Sequence, residues 1–416
     1  MSIFEISAII ITIAAAFSFI NYKFLKLPTT IGAMMIALIV STILIILHSL
    51  GINLELWAEK ILQELNFSEA LLKGMLGFLL FAGALHINLD DLFEQKVGVS
   101  LLSTIGVLGS TFIIGLSTFW VLSLLGIHIP FIYTLVFGAL ISPTDPIAVL
   151  SILKQNNAPK ELETKIAGES LFNDGIGVVI FLALVEIATG HHEVSIKEIS
   201  FLFIEEAIGG TILGLFLGWV GFQLIKRVDD YQVEILLTLA LVSGGYSLAQ
   251  SLHFSGPIAI VIAGLMIGNR GRRLAMSENT RQNLDKFWQL IDEVLNIVLF
   301  VLIGMELIVI SFNFKYFIAG LSAIIISLLA RLIMVSFSIK TTERINKISY
   351  SKEIIPIITW AGLRGGISIA LALSLPESES KNVILAITYC VVVFSIVVQG
   401  LSIKKLLPKG LKVLTN

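Results

Sequence analysis

Thirteen runs of mostly apolar residues, each broken from the next by charges, proline or glycine, constrain this chain more than any other feature. They lie at approximately 3–21, 29–49, 69–88, 97–124, 131–153, 163–189, 200–225, 233–252, 255–268, 288–311, 316–338, 354–375 and 382–403. A helix of about 20 apolar residues crosses about 30 Å of hydrocarbon, and it satisfies its own backbone where no water can. Only 14% of the residues are charged, against about 25% in soluble domains. The chain therefore reads as an all-α integral membrane protein of 13 transmembrane helices, and ordinary soluble or secreted classes fall away. A net charge of -2, with no basic concentration, leaves no polyanionic or nucleic-acid partner. Cys390 is the single cysteine, so neither a disulfide framework nor a cysteine metal site is expected. The first run lacks a preceding basic region and a small-residue cleavage site, and is expected to be a span rather than a removable signal. The stretch at 54–65 alternates Leu54, Trp57, Ile61 and Leu65 with Glu55, Glu59, Lys60 and Glu64, the pattern of an interfacial helix.

Orientation follows from where the basic residues fall. When alternate loops are assigned to opposite sides, one side collects 21 Lys and Arg, Lys165 among them, and the other 5. The positive-inside rule then sets the N-terminus outside and the C-terminus in the cytoplasm of a plasma or bacterial inner membrane. An even number of spans spoils this sorting. Two of the 28 basic residues belong to no loop: Arg331 and Arg364 lie inside apolar runs, as do Asp145, Glu169 and Asp174. Ionisable groups at such depth are expensive unless paired or hydrated, and they mark function.

The fifth run carries Pro143 and Pro146 on either side of Thr144 and Asp145. Each proline removes a backbone donor and clashes one turn back, so the helix is expected to break there. Unwound backbone beside a mid-depth carboxylate is a cation site in many secondary transporters. The plainer alternative is a kink with a satisfied aspartate. In the sixth run, Glu169 and Asn173 are one helical turn apart, and so are Ser170 and Asp174. The two pairs make adjacent polar faces of carboxylate, hydroxyl and amide oxygens, the donor type that hard monovalent cations take. A helix-capping cluster is the bland reading. By residue count from the cytoplasmic end, the five buried charges lie within about 8 Å of one another in depth. Glu169 and Arg331 match best and are expected to form a structural ion pair, leaving Asp145 and Asp174 free to exchange ligands.

The twelfth run places Gly362, Gly365 and Gly366 around Arg364, the signature of a second interrupted helix. Runs one to six and eight to thirteen then read as inverted repeats with breaks at corresponding places. Arg364 is expected to compensate the free carbonyls and dipole ends where the breaks cross; packing through the glycines is its ordinary role. Asp292 and Glu293 near one end of the tenth run, and Glu186, Glu205 and Glu306 nearer the outer side, are expected to line hydrated mouths. The six histidines fall near span ends or in loops and read as solvated.

These motifs, Ser142-Pro-Thr-Asp-Pro146, Glu169-Ser-Leu-Phe-Asn-Asp174, Arg331 and Gly362-Leu-Arg-Gly365, resemble those of the monovalent cation:proton antiporter family, close to NhaP-type sodium/proton antiporters and related to animal sodium/proton exchangers. The resemblance covers essentially the whole chain. It implies a homodimer with an NhaA-like fold: core helices at approximately 97–189 and 316–403, and dimerisation helices at approximately 1–88 and 200–311. It implies that Asp174 binds the ion, Na+ (or Li+) being held by Asp174, Ser170, Thr144 and Asp145, with Asn173 beside them, no cofactor, and Glu169 and Arg331 as the core ion pair. Family members with Asn-Asp at this place are usually electroneutral. The third run carries no acid, which removes an extra ligand seen in some relatives, and no long regulatory tail is expected after Lys412. The function implied is Na+/H+ exchange by alternating access, the cation and proton competing for Asp174. A K+/H+ antiporter of the same family is the alternative; an intramembrane aspartyl protease using Asp145 and Asp174 is a remote one, without a Gly-x-Gly-Asp element in the sequence.

Overall fold

The structure, a computed structural model, describes residues 2–416 apart from 52–61, 63, 65, 66, 157, 191–195, 311, 312, 408–412 and 414–416. Most of the amphipathic 54–65 stretch, and His191 and His192, thus lie outside the described residues. The elements in order are α1 (Ile3–Ile20), α2 (Thr29–Ser49), α3 (Phe67–His86), α4 (Lys96–Leu124), α5 (Phe131–Ile141), α6 (Ile147–Gln155), α7 (Lys160–Thr189) and α8 (Ile196–Ile225). They continue with α9 (Tyr231–Ser251), α10 (Gly256–Met266), α11 (Glu278–Met305), α12 (Phe314–Asn346), α13 (Ile354–Ala361), α14 (Gly366–Leu373) and α15 (Glu379–Leu406).

Several helix starts are set by short polar side chains that accept from otherwise orphaned amides, whereas α2, α5, α6 and α7 follow Pro28, Pro130, Pro146 and Pro159. Ser2 and Glu5 form a reciprocal capping box at α1, and Asp230, Ser255, Ser277, Asn313 and Ser378 cap α9, α10, α11, α12 and α15. Among the described residues, 9 helices are long and apolar enough to cross a membrane, and α13 with α14, bent by 44° at their break, makes up to 10. Large apolar side chains such as Ile11, Phe112, Trp120 and Ile325 point outward and exposed, as suits a lipid-facing surface.

The helix read from sequence as 288–311 starts earlier, at Glu278, and ends at Met305. Its first ten residues are charged and amphipathic, so a search for apolar runs passes over them although Ser277 already starts the helix. Helices α4, α5, α7, α12, α13, α14 and α15 pack on one another around the two breaks, whereas α2 packs on α11 and α10 packs on α3, α8 and α9. The two sets meet where α7 touches α8 and α10, and where α11 touches α14.

Candidate functional site

Residues 142–146 leave the helix between α5 and α6, and residues 362–365 do the same between α13 and α14. The two unwound strands meet: the Asp145 amide donates to the Leu363 carbonyl at 2.9 Å. Gly365 lies against the Asp145 carboxylate so closely that a Cβ on it overlaps the carboxylate oxygen, and Gly177 leaves the same kind of room for the Pro143 ring. Proline opens one strand, and glycine lets the second strand and the neighbouring helix approach it.

The polar groups freed by the breaks are taken up locally. Arg364, 3% exposed, donates from Nη1 to the carbonyls of Ser142 (2.5 Å) and Pro143 (2.8 Å), the free carbonyl end of α5. A cation there offsets the negative end of that half-helix. Its own amide donates to Ser395 Oγ on α15 at 2.8 Å. Asp145 does the complementary work, its Oδ1 accepting from the Ile147 amide at 3.0 Å at the start of α6.

Helix α7 supplies the second half of the site. Asn173 grips Thr144 in both directions, Nδ2 donating to Thr144 Oγ1 at 2.9 Å and Oδ1 accepting from the Thr144 amide at 3.3 Å. Ser170 Oγ donates to the Thr144 carbonyl at 2.5 Å. Thr144, Ser170 and Asn173 are all buried, whereas Asp145 and Asp174 keep partial exposure. The Asp174 carboxylate lies within electrostatic reach of Asp145. Among the described residues no side chain or amide donates to it and no Lys, Arg or His pairs with it.

Glu169 and Arg331 form a two-point ion pair: Nη1 meets Oε1, and Nη2 meets Oε2 at 2.9 Å, with Nη2 also 3.4 Å from the Ile358 carbonyl. Both are buried, their side chains 1% and 8% exposed. The guanidinium of Arg364 is committed to the α5 carbonyls and senses Glu169 only through space. So both buried arginines are engaged, and the crossing keeps two acids without cationic partners among the described residues.

Two residues, Lys165 and Ser395, take places that sequence reasoning did not give them. Lys165, counted among the loop cations, is 1% exposed inside α7, with Nζ 3.8 Å from the centre of the Tyr350 ring. Its position one turn before Glu169 was the signal, hidden because loop assignment stops at the first charge of a span. Ser395 sits in an apolar run with nothing to mark it. Asp292, expected with Glu293 to line a hydrated mouth, is half-buried on α11, within electrostatic reach of Asp145, and its Oδ1 accepts from Asn296 Nδ2 at 3.0 Å.

Known proteins share this arrangement of sequence and fold. A family model described as sodium/hydrogen exchanger, transmembrane, matches residues 8–409. The Na(+)/H(+) antiporter NhaP of Pseudomonas aeruginosa is 47% identical over 402 residues, which cover 96% of this chain and 95% of that protein. The Na(+)/H(+) antiporter NhaH of Halobacillus dabanensis is 35% identical over 392 residues, 93% of each. Among solved structures, the sodium proton antiporter MjNhaP1 from Methanocaldococcus jannaschii at pH 8 superposes with a TM-score of 0.76 at 21% identity over 96% of both chains, so the two share a fold.

Proposed function

The chain belongs to the sodium/hydrogen exchanger family, and from that membership we propose that it exchanges Na+ for H+ across the membrane, with Asp174 as the group for which the two ions compete. The observation that carries this reading is the state of Asp174: a carboxylate at the crossing of two broken helices with no cationic partner among the described residues, while both nearby arginines are engaged elsewhere. In this reading the ionised carboxylate takes Na+ together with the Ser170 hydroxyl, the Thr144 backbone carbonyl and the Asp145 carboxylate, all oxygen donors suited to a hard cation.

Competition at one carboxylate produces the coupling. Asp174 holds Na+ or a proton, and in either case its charge is compensated and the core can move. Empty, it is an uncompensated anion whose desolvation opposes passage through the apolar gap, which suppresses leak. Residue 173 is an amide, which does not titrate and so has no proton to contribute, and its two polar atoms both hold Thr144. With Asp174 as the one group that exchanges a proton for the cation, the stoichiometry is one Na+ for one H+, and the exchange is electroneutral.

The wider architecture follows the same reading. The moving core consists of α4–α7 and α12–α15, its helices packed on one another around the breaks, and the remaining helices form the scaffold and the dimerisation surface of a homodimer. The pieces group into 13 spans with inverted repeats, α5–α6 and α13–α14 being the equivalent broken members. The Lys/Arg-rich side is cytoplasmic, placing the N-terminus outside a plasma or bacterial inner membrane.

The test uses purified protein in sealed vesicles with an internal pH dye and added Na+, Li+, K+ or choline. Proton flux driven by Na+ or Li+, unaffected by a voltage clamp and lost in Asp174→Asn, is the expected result. Flux surviving in Asp174→Asn overturns the assignment of that residue, and flux driven by K+ alone changes the substrate.

A further inference from the structure

One face of α11, continued into the turn that follows it, carries two acids. Asp292 and Glu306 are fourteen positions apart, which is about 21 Å of rise and roughly 40° from full register. Asp292 is half-buried and lies within electrostatic reach of Asp145 of the α5–α6 break. Glu306, at the turn that ends α11, is 4% exposed and faces Lys381 and Tyr389 of α15. Its Oε2 is enclosed without a hydrogen-bond partner among the described residues, and so is the Oδ1 of Asn296, one turn from Asp292. Between the two acids the same face presents Leu299 and Ile303, 3% and 0% exposed, and a Cβ on Gly366, the first residue of α14, runs into Leu299. The sequence along this face is therefore acid, amide, two aliphatics, acid, with the crossing seated against the aliphatic part.

We propose that Asp292 and Glu306 are staging carboxylates for the transported cation, one serving each membrane side, separated by an apolar barrier formed by Leu299 and Ile303. The proposal rests on the transporter reading and adds to it the path by which the ion reaches Asp174. In this conformation Asp292 is partly exposed and Glu306 is covered, which is the asymmetry of a site open at one end. A carboxylate at a cleft mouth raises the local cation concentration. It also repels Asp145 when both are ionised, so a cation between them is held by both. Leu299 and Ile303 are buried and offer no ligand to a cation, so the face between the two acids is apolar. When the core slides along α11, the crossing leaves the neighbourhood of Asp292 and approaches that of Glu306, which then does for the outer side what Asp292 does here. A buried carboxylate oxygen without a hydrogen-bond partner among the described residues at the covered end is otherwise an unexplained expense.

The experiment measures Na+-driven proton flux in everted and in right-side-out vesicles, for the wild type and for Asp292→Asn and Glu306→Gln. Asp292→Asn is expected to raise the half-saturating Na+ about tenfold at the Lys/Arg-rich face only, Glu306→Gln to do so at the opposite face only, with maximal rates retained. Asp292→Glu and Glu306→Asp are expected to keep near-wild-type values, separating charge from packing. Equal shifts at both faces, or unchanged half-saturation in both variants, overturn the proposal. Wild-type flux in the same vesicles distinguishes this from failure of the transporter reading: absent flux in the wild type refutes the underlying function, and with it the staging role.

Discussion

Removing one partner of the Glu169–Arg331 pair is expected to be far more damaging than removing both. Each side chain is almost fully buried and the contact is two-pointed, so Glu169→Met leaves a guanidinium in the core with only the 3.4 Å contact to the Ile358 carbonyl. Breaking a buried pair in this way costs about 3–5 kcal/mol, whereas replacing both ions by apolar groups of similar volume is often neutral or better. For 416 residues at about 2.1 cal/mol/K of unfolding entropy per residue, the total is about 0.9 kcal/mol/K, and the single substitution lowers the melting temperature by about 3–6 °C. Arg331→Met leaves Glu169 stranded and is expected to do the same. The double variant should recover at least about 2 kcal/mol of the summed loss, a coupling within the range for residues in direct contact. The assay is thermal unfolding of all four proteins in one detergent, followed by intrinsic fluorescence, with ligand and pH held constant. Strict additivity of the two single effects refutes the reasoning, because it means the charges do not compensate one another in the folded state.

Lowering pH should raise the half-saturating Na+ by about tenfold per unit once below the titration point of Asp174, with the maximal rate at saturating Na+ unchanged; a falling maximal rate at constant half-saturation contradicts competition at one group. Gly365→Ala drives a methyl group into Asp145 and should reduce transport about 10- to 100-fold by displacing the ligand, with wild-type rates counting against that contact. Arg364→Met uncovers the Ser142 and Pro143 carbonyls at a loss of about 2–6 kcal/mol, read in the same unfolding assay. Arg364→Lys, which can still direct one nitrogen at both carbonyls, should lose less.

How far the molecule could be read from its residues depended on whether the cause was local. Pro143 and Pro146 break a helix by covalent geometry, so the interruption between α5 and α6 was visible in advance, and the glycines around Arg364 marked its counterpart. The matching depths of Glu169 and Arg331 anticipated their contact because both helices are long and regular. Contacts set by the third dimension were hidden. Nothing in the local sequence says that Leu363 offers its carbonyl to Asp145, that Ser395 receives the Arg364 amide, or that Tyr350 folds back over Lys165. The half-burial of Asp292 was hidden for a similar reason: it is set by the helices packed around it and not by its own hydrophilic neighbours.

The Thr144 carbonyl, held by Ser170 and flanked by a side chain clamped to Asn173, belongs to the main chain, and no codon change at position 144 can delete it. Drift at that position alters only the hydroxyl and methyl groups around the oxygen, while Ser170 and Asn173 determine how it is aimed. Inherited differences in ion preference among chains of this kind should therefore accumulate in the residues that steer the carbonyl, and libraries built to alter selectivity should vary positions 170 and 173 before position 144.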